Sequence, residues 1–198
     1  MRLRSSHAAV NIIQHDHDVL SAVLQGMLQI IRAISDGGKK PDLKVLRAML
    51  LYIHDYPERV HHPKEDRFLF PMIRKRTGEA DEAIIELEAQ HALGDRLVLD
   101  LEHALNRYEL EGAAAFEPFA LMAGQYADFY KAHMRLEEQK ILAIALEVLS
   151  EDDWRELDAA FSEEKNPLEG SRADTTMQQL FSMIVNLAPP PVGVGPEM

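Results

Sequence analysis

The sequence predicts an all-α protein, an up-down-up-down antiparallel four-helix bundle with a short C-terminal helical appendage. Three observations carry that prediction. Apolar residues recur at steps of three and four along four long segments, and no segment alternates apolar with polar residues as a half-buried strand does. Glycine or proline signals separate the segments, leaving connections short enough for antiparallel neighbours. Of the 198 residues, 46% are hydrophobic and 27% charged, enough to bury one sizeable core beneath a polar surface.

The elements follow in order. Ser5 or Ser6 is expected to cap a first helix, whose stripe Val10, Ile13, Leu20, Leu24, Met27 and Ile31 ends at Gly37-Gly38. Pro41-Asp42 opens a second, running through Leu46, Leu50 and Ile53 to Arg76 and stopping at Thr77-Gly78. Pro57 and Pro63 lie inside it and predict a kink or loosened turn. A third covers Ala80 to Glu111, with Ile84, Leu87, Val98, Leu101 and Leu105 on one face and Gly112 at its end. The fourth runs from Phe116 to Leu149, with Pro118 in its first turn. The bundle thus occupies residues 1–149, and residues 150–198 form the appendage. There, Ser150-Glu-Asp-Asp before Trp154 reads as a capping box for a helix to Glu164. Asp174 caps a last helix to Leu187, and a Pro/Gly-rich tail follows from Pro189. Leu180, Phe181, Ile184, Val185 and Leu187 are apolar enough to pack on the bundle or to join two chains as a homodimer.

Composition narrows the function. A net charge of −12 argues against nucleic-acid and anionic-membrane partners, both of which favour a basic face. With no cysteine there is no disulfide, thiolate or iron–sulfur chemistry, so any metal must sit on His, Asp and Glu. No uninterrupted apolar run reaches about 18 residues, so no membrane span is expected. The basic Met1-Arg2-Leu3-Arg4 is not followed by an apolar region, so no signal peptide is read and a cytoplasmic protein is expected.

Nine histidines then matter by position. His17 falls in register with Ile13, Leu20 and Leu24, whereas His15 lies about 200° around the helix. In the second helix His54, Glu58, His61, Glu65, Phe68 and Met72 form one stripe. His91 joins Ile84, Leu87 and Val98. In the fourth helix Met122, Tyr126, Phe129, His133, Glu137, Ile141 and Ile144 align. Each helix therefore sends one imidazole inward, and the second and fourth add a carboxylate one turn on, in the pairs His61-Glu65 and His133-Glu137. Two uncompensated buried carboxylates cost several kcal/mol each. A pair of cations removes that cost, so the pattern points to a carboxylate-bridged dimetal site in the bundle core. Taken singly, an inward His is an ordinary core residue and a lone HxxxE an ordinary surface pair; six together argue for metal. Glu58 and Tyr126 can orient ligands, or can be a solvated carboxylate and a core ring.

The residues His61-His62-Pro63-Lys64-Glu65-Asp66 with Leu69-Phe70-Pro71, and His133-Met134-Arg135-Leu136-Glu137-Glu138, resemble the hemerythrin-like HHE cation-binding family. Asp16-His17 with Leu20, and Gln90-His91, are similar to that family's first- and third-helix motifs. The resemblance covers residues 7–149. It implies an oxygen-reactive di-iron site, with His17, His61, His91 and His133 as terminal ligands and Glu65 and Glu137 as bridges. Manganese or zinc also suits such ligands. The chain departs from the oxygen-carrying hemerythrins in two places. Their third helix carries a second His one turn along, where Leu87 and Asp95 flank His91 here, and their fourth-helix carboxylate is an Asp five residues after its His. The site is thus expected to lack one His and to be open to water or an exogenous ligand, which argues against reversible oxygen transport. His62 is a candidate to supply the extra ligand; His54 and His15 are further candidates, and His7 and His103 read as surface.

The function expected is a non-heme di-iron protein that senses, stores or responds to oxygen, nitric oxide or iron. The alternatives are a di-iron enzyme activating oxygen or peroxide, and a structural dimeric bundle with a vestigial site. His54-Asp55 also admits an HD-type phosphohydrolase, which leaves both HxxxE pairs unexplained.

Overall fold

A computed structural model describes residues 6–37, 42–163 and 184. Helix α1 spans Ala8–Ser35. Helix α2 runs from Lys44 to Arg76, as α-helical pieces Lys44–Ile53, His62–Lys64 and Phe70–Arg76 joined by π-helical turns at His54–His61 and Glu65–Leu69. Helix α3 spans Asp81–Glu111. After a 3₁₀ turn at Gly112–Ala115, α4 comprises Phe116–Leu136, a π-helical turn at Glu137–Ile141 and Leu142–Val148. Helix α5 spans Glu151–Glu163. There is no strand among the described residues. Helices α1 to α4 pack each against the next, and α4 returns against α1. This is the predicted all-α bundle.

The breaks fall where local chemistry puts them. Gly37 and Gly112 both have positive φ, +76° and +69°, a conformation in which a side chain would be strained. The π-turns of α2 gather around its prolines: Pro57 lies within the first, and Pro63 and Pro71 flank the second. A proline removes an N–H and clashes with the preceding turn, so the widened turn relieves both. The predicted loosening is therefore a π-helical one. It also explains a register error. The expected stripe placed Phe68 inward, but at the end of the second π-turn Leu69 and Phe70 are buried and Phe68 is only half-buried, while Met72 is buried as expected. On α4 Tyr126 is buried as expected, but Phe129 is only half-buried and its neighbour Tyr130 is buried.

The N-terminus of α1 departs from expectation. Ser5 lies outside the described residues, and the cap position falls to His7, whose side chain makes no capping hydrogen bond. Instead the Ala9 N–H donates to Asp158 Oδ1 of α5 at 2.7 Å. His7, expected at the surface, is half-buried and stacks on Trp154 with ring centroids 4.2 Å apart. Helix α5 has the predicted capping box: Ser150 Oγ accepts the Asp153 N–H at 3.3 Å, and Asp153 Oδ2 accepts the Ser150 N–H at 2.9 Å. Its Trp154, Leu157 and Phe161 are buried with Ala9, Val10 and Ile13 of α1; each such side chain stabilises the docking by roughly 1.5–3 kcal/mol. Asp158→Ala should remove the borrowed cap and lower stability by about 1 kcal/mol. A urea midpoint that does not move would contradict that role. The predicted last helix and tail lie outside the described residues, except Ile184, which is buried in the core.

Helix α1 is long and apolar enough to cross a membrane by length and composition alone, although polar residues interrupt its apolar run. Its buried stripe nevertheless faces the other helices of the bundle.

The core has two apolar parts. One gathers Leu20 to Ile31, Val45 to Tyr56, Val98 to Tyr108 and Phe116 to Tyr130. The other gathers Ala9 to Ile13, Leu69 to Ile73, Ala80 to Leu87 and Ile141 to Phe161. Between them, along each of α1 to α4, sit the buried polar residues Asp16, His17, His61, His62, Glu65, His91, His133 and Glu137.

Candidate metal centre

All seven residues expected as ligands meet in that layer, and each is at most 7% exposed. They form two overlapping groups: His17, His61, Glu65 and Glu137, and His62, Glu65, His91 and His133. Within each group the donor atoms lie within 4.8 Å of one another. Glu65 belongs to both, turning Oε1 toward His61 Nε2 (2.8 Å) and Oε2 toward His91 Nε2 (3.5 Å). Glu137 Oε2 lies 3.3 Å from His17 Nε2 and 3.8 Å from His133 Nε2.

The π-turns build this arrangement. Neighbours on an α-helix point about 100° apart, so His61 and His62 would not share an inner face. The turn at His54–His61 spreads an extra residue over itself, and both imidazoles are buried, 3% exposed each. The other two π-turns each begin on a carboxylate of the cluster, Glu65 and Glu137.

Four of the five histidines are held by a closed ring of hydrogen bonds around the bundle. Asp16 of α1 accepts from His61 Nδ1 (2.9 Å), Asp66 of α2 from His91 Nδ1 (2.8 Å), Gln90 of α3 from His133 Nδ1 (3.0 Å), and Glu138 of α4 from His17 Nδ1 (2.9 Å). Each acceptor is the sequence neighbour of a cluster residue on its own helix, and each holds the imidazole of the next helix. Tyr56 donates to Asp16 (3.1 Å), and Gln90 Nε2 donates to Glu86 (2.9 Å), which fixes the amide so that its oxygen faces His133. With Nδ1 donating, Nε2 is left bare and aimed at the centre. Glu58 and Tyr126 are also resolved: Glu58 is buried, accepts from His62 Nδ1 at 3.1 Å and from the Tyr126 hydroxyl at 3.1 Å, and is hydrogen-bonded to Tyr130.

Sequence reasoning quoted Asp16, Asp66, Gln90 and Glu138 only as parts of motifs and named neither them nor Tyr130 as partners. A signal existed for each. The acceptors are adjacent to the cluster residues, and Tyr130 continues the 4-3-4 spacing of Tyr126, His133 and Glu137. His54 does not reach the cluster; it is half-buried and lies 3.7 Å from Asp55. His15 is likewise half-buried and outside both groups, and His103 is exposed. His62, from α2 rather than the third helix, joins His91 and His133 in the second group of donors.

The centre carries a distinctive deficit. The Nε2 atoms of His17, His61, His91 and His133 and both oxygens of Glu65 and Glu137 are buried and have no hydrogen-bond partner outside the cluster itself. Leaving such atoms unpaired costs about 1–3 kcal/mol each, more for charged groups. Their separations are those of two donors on one ion with bonds of about 2.0–2.2 Å. The residues present therefore fit a metal pair.

Electrostatics in the metal-free chain say the same. Burial pushes the Glu65 carboxyl up, the Glu137 carboxylate pushes it further, and it reaches about 7. Burial acts likewise on Glu137, but His17 beside it holds it well below the usual range. Two carboxylates this close do not both ionise readily. Burial would depress His17, yet Glu137 and Glu138 raise it to about 9. Glu65 and Asp16 overcome burial at His61, and Asp66 and Glu65 do so at His91, so both are raised. His133, held by a neutral amide, is lowered by burial to about 3, and His62 is lowered well below its ordinary value by burial and by the other histidines. Protons thus stand where cations are called for.

No curated protein and no solved structure matches the chain. The family model described as the hemerythrin HHE cation binding domain matches residues 8–145, ending before α5. By that match, which spans more than half of its length and the whole of the centre, the chain belongs to the hemerythrin HHE cation-binding domain family.

Proposed function

We propose that the chain is a non-heme di-iron protein that responds to a small exogenous ligand, oxygen or nitric oxide. One iron would sit among His17, His61, Glu65 and Glu137, and the other among His62, His91, His133 and Glu65. Glu65, common to both groups, would be shared between the two, and Glu137 would serve the first. The observation that carries the reading is the set of buried, unpartnered imidazole nitrogens and carboxylate oxygens converging on one centre. A mixture of imidazole and carboxylate suits iron, and manganese and zinc less selectively; membership of a hemerythrin family favours iron. When bound, the pair supplies redox-active metal able to take a diatomic ligand. The protein's own part is to present bare Nε2 atoms, to neutralise the metal charge with Glu65 and Glu137, and to keep both inside an apolar sheath.

Metal analysis of the purified chain, followed by anaerobic loading with ferrous ion and exposure to air or nitric oxide, tests this. Two irons per chain and a change of absorption on exposure to either gas are expected. A chain that holds only zinc or manganese, or takes no iron, overturns it.

A further inference from the structure

His62 stands outside the ring that holds the other four histidines, and its support is of another kind. Its Nδ1 donates to Glu58, one turn earlier on the same helix. The Glu58 side chain is only 1% exposed, and its other oxygen accepts from Tyr126 and Tyr130. The Tyr130 ring lies parallel to His62, 6° between planes and 5.7 Å between centroids, and His91 stacks on His62 at 4.3 Å. Room for this packing comes from α3. A Cβ built on Gly94 would overlap the Tyr130 hydroxyl and lie 3.1 Å from Glu58 Oε1. Gly94 is one turn beyond His91, so the place of a side chain on α3 is taken by groups that steady an imidazole from α2.

The two groups of donors are unequal. His17 and His61 share theirs with two carboxylates, Glu65 and Glu137, whereas His62, His91 and His133 share only Glu65. A first cation is drawn to the doubly acidic group, and filling of the second group depends on all three imidazoles being in place. We propose that Glu58, Tyr130 and Gly94 form a positioning unit that presents His62 as a ligand and so decides whether the second metal position fills. This rests on the dimetal reading above.

The test is anaerobic titration with ferrous ion of the full chain and of Glu58→Ala, Glu58→Gln, Gly94→Ala and His62→Ala, reading stoichiometry and the absorption of the loaded protein. Wild type should take two ions. Glu58→Ala and Gly94→Ala should bind the first as wild type does and the second about 10- to 100-fold more weakly, matching His62→Ala. Glu58→Gln keeps an acceptor for Nδ1 and should restore the second ion; being nearly isosteric, it also covers the case in which Glu58→Ala fails to fold. Nitrogen NMR of the metal-free chain should find His62 as the Nδ1–H tautomer in wild type and Glu58→Gln, and as a tautomer mixture in Gly94→Ala. Two ions bound with wild-type affinity by Glu58→Ala and Gly94→Ala would overturn the proposal, as would equal weakening of both ions. A wild-type chain that takes no ion pair would instead remove the dimetal reading itself.

Discussion

Glu65→Gln should lose both metal ions while folding as well as the wild-type chain. Glu65 is the one residue common to the two donor groups, with one oxygen turned to each. A neutral amide cannot bridge two cations or neutralise their charge, so neither position survives. Stability should separate the two roles of the carboxylate. In the metal-free chain burial and Glu137 raise Glu65 to about 7, so near neutrality about half of it is already the neutral acid that Gln copies. The metal-free variant should therefore unfold within about 1 kcal/mol of wild type. Metal is different: an ion held a thousandfold above its dissociation constant stabilises the fold by about 4 kcal/mol. In a chain of this size that is a rise in Tm of about 8–16 °C, and the variant should show none of it. Thermal unfolding with and without ferrous ion measures both. An unchanged metal-dependent shift would show that Glu65 is a buried acid and no ligand.

His133 tests the legibility of the site from the other side. It lies on a clear helical stripe, and its HxxxE pairing with Glu137 could be read directly from spacing. The same held for His17 against His15, because a 3.6-residue period separates neighbours two apart. What periodicity could not supply came from the π-turns. A reading with a uniform turn places His61 inward and His62 off-axis, and puts Phe68 where the structure buries Leu69. The prolines announced a disturbed turn but not its sense; nothing comparable announces the π-turn at Glu137–Ile141, where no proline stands. The ring of acceptors was unreadable for another reason. Asp66 and Glu138 are 40% and 32% exposed and look like surface acids. Only the packing of consecutive helices sets each against the next helix's imidazole. The borrowed cap from Asp158 is a contact between residues 149 apart in sequence, beyond any local signal.

The metal-free and metal-loaded chains should respond to pH with opposite slopes. In the metal-free chain His17 is raised from 6.5 to about 9, and His61 and His91 are raised as well. A raised imidazole favours the folded state while it is protonated. Its contribution is therefore complete below about pH 6.5 and disappears as pH climbs through the folded value. Glu65, raised to about 7, acts in the same direction, since the fold prefers its neutral form. His133 and His62 are lowered, so their contribution is lost only on acidification below about 6.5 and adds no slope above it. From pH 6.5 to 9 the slopes thus agree in sign, and the His17 shift alone corresponds to about 3 kcal/mol of lost stability. Metal reverses this. Imidazole and carboxylate must be deprotonated to bind, so loading releases those same protons and affinity rises with pH. Thermal unfolding between pH 6.5 and 9, with chelator and with ferrous ion under anaerobic conditions, should give a falling and a rising curve. Parallel curves would mean that the buried protons and the cation do not compete for the same atoms.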